Sequence, residues 1–210
     1  GGDPKLNMEK LWLLMRDLRT SGVQQVTGDL VLDRSHFLQP QLAAFNDDGN
    51  DANKPFLVGP DALLVNLKSV RMIVRNEGGK VIVAVEPPIA TIRIDNQVKA
   101  LPAGKCPTPN VGYTAKKQPD GSINLLVSGQ LVAGCSSQTY LALLDHPNYA
   151  AGAVRAIWQE LGGSIQGRNR VAQVPKDARL LVRAFSPDLV EIIRDINKYS
   201  NNTMAQQLFL

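Results

Sequence analysis

Apolar positions near the start of the chain recur at helical spacing: Leu11, Leu14, Met15 and Leu18 share a face, Asn7 stands where an N-cap belongs, and Ser21-Gly22 supplies a stop. This predicts a first helix. A strand is predicted from Val26 to Asp33, interrupted at Gly28. The run from Pro40 to Pro60, which contains Asn46-Asp47-Asp48-Gly49-Asn50-Asp51, is polar and turn-rich and reads as a long surface loop. Loops of that length in compact proteins are functional or mobile.

Between Leu63 and Leu144 the period changes to two. Val70, Met72 and Val74 alternate with Arg71, Ile73 and Arg75, and a hairpin is signalled at Asn76-Glu77-Gly78-Gly79 before Val81-Val83-Val85 resumes the alternation. Further short strands are predicted at Ile92-Ile94, Gly112 to Ala115, Ile123-Leu125-Val127 and Leu131-Ala133, with a turn at Pro119-Asp120-Gly121. The stretch reads as an all-β module.

The last third is mixed. A helix opening at Asn148 or Tyr149 carries Val154, Ile157, Trp158 and Leu161 and is closed by Gly162-Gly163. Strands are predicted around Arg170 to Val174 and Arg179 to Phe185. Ser186 then reads as an N-cap with Pro187 at the first helical position, and Leu189, Ile192, Ile193 and Ile196 line one face of the helix that follows. After Tyr199-Ser200-Asn201-Asn202 another helix is predicted from Met204 to Leu210. A β-rich block flanked by α/β segments is the pattern of an insertion into a host domain.

Composition narrows the classes. With 44% hydrophobic and 20% charged residues among 210, the chain can bury a core, and 17 Gly plus 13 Pro fall short of a low-complexity bias. No stretch approaches the roughly 18 unbroken apolar residues of a membrane span. The 23 Lys and Arg exceed the 19 Asp and Glu by four, but they are interleaved with acids and the longest basic run is Lys116-Lys117, so nucleic acid is not an expected partner. His36 and His146 have no second ligand at metal spacing, and no metal site is expected.

Cys106 and Cys135 each sit beside turn-forming residues and bracket the Pro119-Asp120-Gly121 hairpin. They are either two buried thiols or a disulfide. The disulfide is the favoured reading, and it implies an oxidising compartment such as a periplasm or cell exterior.

The candidate chemistry lies at Ser200-Asn201-Asn202. A hydroxyl that donates and accepts, two positions from an amide that does the same, can steer protons and hold a peptide. Taken alone, the spacing favours reading Ser200 and Asn202 as helix-capping residues.

Several runs in order along nearly the whole chain resemble the low-molecular-mass class C penicillin-binding proteins, D-alanyl-D-alanine carboxypeptidase/endopeptidases of the penicillin-binding protein 4 type. They are Gly2-Asp3-Pro4-Lys5-Leu6, Gly28-Asp29-Leu30-Val31-Leu32-Asp33 with Phe37 after it, Tyr149-Ala150-Ala151-Gly152-Ala153, and Lys198-Tyr199-Ser200-Asn201-Asn202-Thr203-Met204-Ala205. Such enzymes use three motifs, S-x-x-K, S-x-N and K-T-G. Ser200 and Asn202 match the second, whereas no serine here opens S-x-x-K and no lysine opens K-T-G.

The resemblance therefore implies an internal fragment, inactive alone, of a serine peptidase that trims or cleaves peptidoglycan stem peptides through an acyl-enzyme. In that enzyme Ser200 would relay a proton to the leaving D-alanine nitrogen, and Asn202 would bind the peptide carbonyl. β-Lactams would acylate the same missing serine. No cofactor is implied, the oligomeric state is not specified, and the location is periplasmic or extracytoplasmic. Asp51 and Phe56 fall in a segment similar to the family's loop that recognises the diamino-acid side chain, a carboxylate for the ammonium and an aromatic face for its stem. Pro55 stands where some relatives carry a cysteine.

The expected fold is α+β: an accessory α/β segment with the acidic loop over residues 1–65, an inserted β-rich domain over 66–145, the returning accessory segment over 146–184, and part of a penicillin-binding catalytic domain over 185–210. The alternative is a non-catalytic cell-wall or protein-binding module in which the S-x-N match is accidental.

Overall fold

In the computed structural model, residues 1–37 and 53–210 are described, with Phe56 described by its backbone only. Most of the expected surface loop, including Asp51, lies outside the described residues. The first helix, α1 (Met8–Thr20), begins as its sequence dictates, with the Asn7 side chain accepting from the Lys10 N–H at 2.9 Å. Leu11 is its buried anchor.

The predicted strand from Val26 to Asp33 is two short pieces, β1 (Gln25–Val26) and β2 (Leu30–Leu32), separated at Gly28. Neither pairs with its neighbour in sequence. β1 runs parallel to β9 (Ser164–Ile165), and β2 runs parallel to β10 (Asn169–Val171). The chain before the β-rich stretch is thereby hydrogen-bonded to the chain after it. Helix α2 (His146–Glu160) packs against α1, β2, β9 and β10 and carries the buried Tyr149, Ala150, Ala151, Ala153, Ile157 and Trp158. Its run of small residues permits close approach: a Cβ on Gly152 would lie 2.6 Å from both Ile89 Cγ2 and Thr91 Oγ1. The helix starts two to three residues earlier than its apolar face suggested, because Asp145 accepts from the Asn148 N–H and Pro147 suits the first turn.

Two three-stranded sheets lie between these parts. One has the order β4-β3-β8, with β3 (Val70–Glu77), β4 (Lys80–Glu86) and β8 (Ser136–Leu141) all antiparallel. The other has the order β5-β7-β6, with β7 (Ile123–Ala133) parallel to β5 (Ile92–Ala103) and antiparallel to β6 (Asn110–Lys117). The central strands face one core: Val70, Met72 and Val74 of β3 join Ile123, Leu125 and Val127 of β7. Buried Asn76 bolts the sheets together, donating to the Leu131 carbonyl at 2.7 Å while accepting from Gly79 N–H. Cys106 and Cys135 form the disulfide, with Cα atoms 5.8 Å apart, tying the β5–β6 connection to the β7–β8 turn.

Several expected elements differ. The two short strands at Ile123 and Leu131 are one continuous β7 that passes through Gly129, where a side chain would strike the Asn110 carbonyl at 2.1 Å. Leu63 to Ser69 is not strand, since Asn66, Leu67 and Lys68 turn with φ near 50°. No strand forms over 179–185: among the described residues nothing pairs with it, and Leu180, Leu181 and Phe185 are exposed. Helix α3 (Leu189–Tyr199) is capped by Asp188, whose carboxylate accepts from Glu191 N–H at 2.8 Å, not by Ser186. The Ser186 hydroxyl instead donates to Asp3. Helix α4 (Asn202–Phe209) closes the chain. Among the described residues no helix is long and apolar enough to cross a membrane.

Candidate functional site

Ser200 sits between α3 and α4 in the left-handed conformation, φ 48° and ψ 44°. It ends α3 through its backbone, and the next residue, Asn201, also donates its N–H to the Ile196 carbonyl. Asn201 is the N-cap of α4, its side chain accepting from Met204 N–H at 2.9 Å. The residue between the motif positions thus does the capping. Ser200 and Asn202 are exposed, and among the described residues neither side chain is engaged in a hydrogen bond. The capping explanation for these two side chains does not hold.

The turn is held from both helices. On α3, Lys5 Nζ lies 2.6 Å from the Glu191 carboxylate and 2.7 Å from that of Asp195, and these hydrogen bonds, Asp195 first, hold its ammonium well above the ordinary lysine range. On α4, the Thr203 hydroxyl donates to the Val58 carbonyl at 2.6 Å. The Gln207 side chain accepts from Asp61 N–H at 2.9 Å and donates to the Asp61 carbonyl at 2.7 Å. Asp61 is wholly buried, and its carboxylate is paired with the Arg34 guanidinium and accepts from Leu63 N–H at 2.8 Å. Met204 helps to line a cleft of about 350 Å³ together with Lys5, Leu6, Asn66, Leu67 and Tyr140.

Of the residues singled out from sequence, the structure brings Phe56 toward the motif through its backbone. The turn Pro55–Leu57 leads straight into Val58, the acceptor for Thr203, which is the neighbour of Asn202. Asp51 is outside the described residues. The cystine belongs to the β-rich stretch. The S-x-N pattern also occurs at Ser122-Ile123-Asn124, but there Ser122 is buried and its hydroxyl donates to Asp120 at 2.6 Å, so that the first position is withdrawn from solvent. Thr203, Gln207, Asp61, Arg34 and Lys5 were not foreseen. The available signal was a pair of polar residues, Thr203 and Gln207, four apart beside apolar Met204, a spacing that places both on one face.

Among the described residues no group of three or more His, Cys, Asp or Glu side chains could hold a metal ion. His146 is half-buried, and its Nδ1 atom is buried with no hydrogen-bond partner among the described residues. Burial, and next the charge of Lys68, push its pKa down to about 4.

The chain is 24% identical over 221 residues to D-alanyl-D-alanine carboxypeptidase DacB of Haemophilus influenzae, an alignment covering 99% of this chain and 43% of that protein. It is 27% identical over 221 residues to a D-alanyl-D-alanine carboxypeptidase of an Actinomadura species, covering 99% of this chain and 40% of that protein. It therefore spans less than half the length of either relative. The crystal structure of penicillin binding protein 4 from Haemophilus influenzae superposes with a TM-score of 0.71 at 24% identity, covering 99% of this chain and 46% of that one. That likeness establishes the fold. The family model for D-Ala-D-Ala carboxypeptidase 3 matches residues 1–210, and the chain belongs to that S13 peptidase family.

Proposed function

We propose that this chain is the middle portion of a periplasmic or otherwise extracytoplasmic serine D-alanyl-D-alanine carboxypeptidase/endopeptidase that acts on peptidoglycan stem peptides. The observation that carries this reading is the Ser200-Asn201-Asn202 turn, whose first and third side chains are exposed and, among the described residues, without hydrogen bonds, while Asn201 does the capping. In the longer enzyme a serine hydroxyl supplied by an S-x-x-K motif attacks the carbonyl of the penultimate D-alanine. The C–N bond breaks, the leaving amine takes a proton, and water later hydrolyses the ester. Ser200 relays that proton, and Asn202 binds the peptide carbonyl and holds the motif lysine. Asp51 and Phe56 recognise the side-chain ammonium and its aliphatic stem.

Two further features support the reading. The disulfide is at home in an oxidising compartment. Helix α3 buries Ile192 but exposes Leu189, Val190 and Ile193, as a helix does whose second packing surface lies in a longer protein. The division into residues 1–65, 66–145, 146–184 and 185–210 belongs to the same proposal, supported by the parallel pairs β1–β9 and β2–β10.

The test is labelling with a fluorescent penicillin. The 210-residue chain is expected to form no adduct, and a covalent adduct on it would overturn the missing-nucleophile reading. In the longer protein, Ser200→Ala is expected to slow acylation by roughly 10²–10⁴. Unchanged acylation would remove the assigned role. Muropeptide binding by the longer protein without any acylation would favour the alternative of a non-catalytic cell-wall-binding module.

A further inference from the structure

Helix α4 has eight residues, too few to be stable on helical hydrogen bonds alone, so its position depends on what its buried face touches. That face is Thr203, Met204 and Gln207, and its two polar members bond to backbone rather than to side chains. Gln207 treats Asp61 as one strand treats another, taking both its N–H and its C=O. Such a two-point contact permits one depth and one rotation of the helix. The anchor is itself fixed, because the buried Asp61 carboxylate is held by Arg34 and by Leu63 N–H. Asn202 lies five residues before Gln207, about 7.5 Å along the axis at helical rise, with Ser200 just beyond it.

We propose that Gln207 is a positioning residue for the S-x-N turn: by clamping α4 to the Asp61 peptide, it sets where Ser200 and Asn202 point. This rests on the function proposed above for those two residues, and it names the part of the fold that holds their geometry. Lys5 is the corresponding pin on α3, but its contacts are partly exposed ion pairs, which fix orientation less tightly than a buried two-point amide bond.

The test uses Gln207→Leu and Gln207→Glu. In the 210-residue chain, Gln207→Leu is expected to keep the circular dichroism of the fold while amide exchange at residues 201–205 accelerates at least ten-fold. The Ser200 Cα chemical shift should also move away from its left-handed value. In the longer enzyme, the acylation rate constant with penicillin is expected to fall ten-fold or more, with the dissociation constant of the initial complex changed less than two-fold. Gln207→Glu should match the parent at acid pH, where a protonated carboxyl can still accept from Asp61 N–H and donate to its C=O. It should fall behind as that carboxyl ionises, a pH dependence that a loss of stability alone does not produce in a folded protein. An unchanged Ser200 shift and unchanged exchange in Gln207→Leu would overturn the clamp. A perturbed shift with unaltered acylation would overturn its catalytic importance. If Ser200→Ala and Asn202→Ala themselves acylate normally, the functional reading fails while the structural clamp is judged separately by exchange and shift.

Discussion

The carboxylate of Asp61 is wholly buried, and the guanidinium of Arg34 reaches it with both Nε and a terminal nitrogen. The two residues lie 27 positions apart, on either side of the segment that carries Asp51. The Arg34 side chain keeps 22% of its surface exposed. Truncating the two ends of the pair should therefore have unequal effects. Arg34→Met leaves a buried carboxylate facing an apolar chain and should destabilise by about 3–5 kcal/mol. Asp61→Asn leaves a cation able to turn to water and an amide able to keep its bond with Leu63, and should cost about 1–3 kcal/mol. Urea denaturation of the two variants checks the order. Equal losses would mean that the carboxylate is less dependent on Arg34 than its burial implies.

The disulfide closes a loop of 29 residues within the two central sheets. In the chain-entropy description, removing it should destabilise by about 3–4 kcal/mol. A double change, Cys106→Ala with Cys135→Ala, is preferable to a single one, because Cys135 is buried and a lone thiol there adds its own perturbation. Guanidinium denaturation should show the loss, and hydrogen exchange should place it in β5 to β8. Two alkylatable thiols in the unreduced parent would show that the bridge does not form.

The elements that were legible in the sequence are those whose local signals and tertiary partners agree. Asn7 and the Leu11 face specify α1, and the Val70-Met72-Val74 alternation specifies β3, because one face of that strand meets the core. β8 was not read: Ser136-Ser137-Gln138 carries no apolar alternation, and this segment is a strand because β3 pairs with it. The reverse holds over 179–185, where Leu180, Leu181 and Val182 form a short apolar run but, among the described residues, no neighbouring strand completes a ladder. At the site, the S-x-N pattern was visible as spacing. What distinguishes it from Ser122-Ile123-Asn124 is the capping by Asn201 and the hydrogen bond from Thr203 to Val58, a partner 145 positions away, and a local pattern cannot contain such contacts.

Ser200 occupies a backbone conformation that glycine adopts without penalty and that generally costs other residues about 1–2 kcal/mol. Its side chain makes no compensating hydrogen bond among the described residues. Ser200→Gly should therefore leave stability unchanged or raise it by up to about 1 kcal/mol, after allowing for the greater freedom of glycine when unfolded. The same change should abolish the proton relay proposed for the longer enzyme. A serine standing where its backbone conformation is unfavourable is what a chemical role predicts, and parallel thermal melts and penicillin acylation of Ser200→Gly and Ser200→Ala test it. Clear destabilisation by glycine would show that the hydroxyl serves the fold.

His146 should give the protein a dependence on pH between neutrality and about pH 4. Its imidazole is half-buried in the first turn of α2, within the fields of Lys68, Asp61, Arg34 and Asp145, and desolvation followed by the Lys68 charge lowers its pKa from 6.5 to about 4. The folded state therefore disfavours the imidazolium, while the unfolded chain takes the proton near 6.5. Between those values the unfolded state binds more protons, so this contribution to stability is complete above pH 6.5 and is lost as pH falls toward 4. The loss should be on the order of 2–3 kcal/mol. Asp33 acts in another window: hydrogen bonds from the Ser35 hydroxyl and then the Val174 and Ser35 backbone N–H groups lower its pKa from 3.8 to about 2, so its contribution disappears only below 3.8. Burial also lowers the Lys68 pKa from its ordinary 10.5. Urea denaturation at pH 7 and pH 4.5 should thus show a decline in the parent that His146→Gln largely removes. An equal decline in both proteins would assign the acid sensitivity to the carboxylates instead.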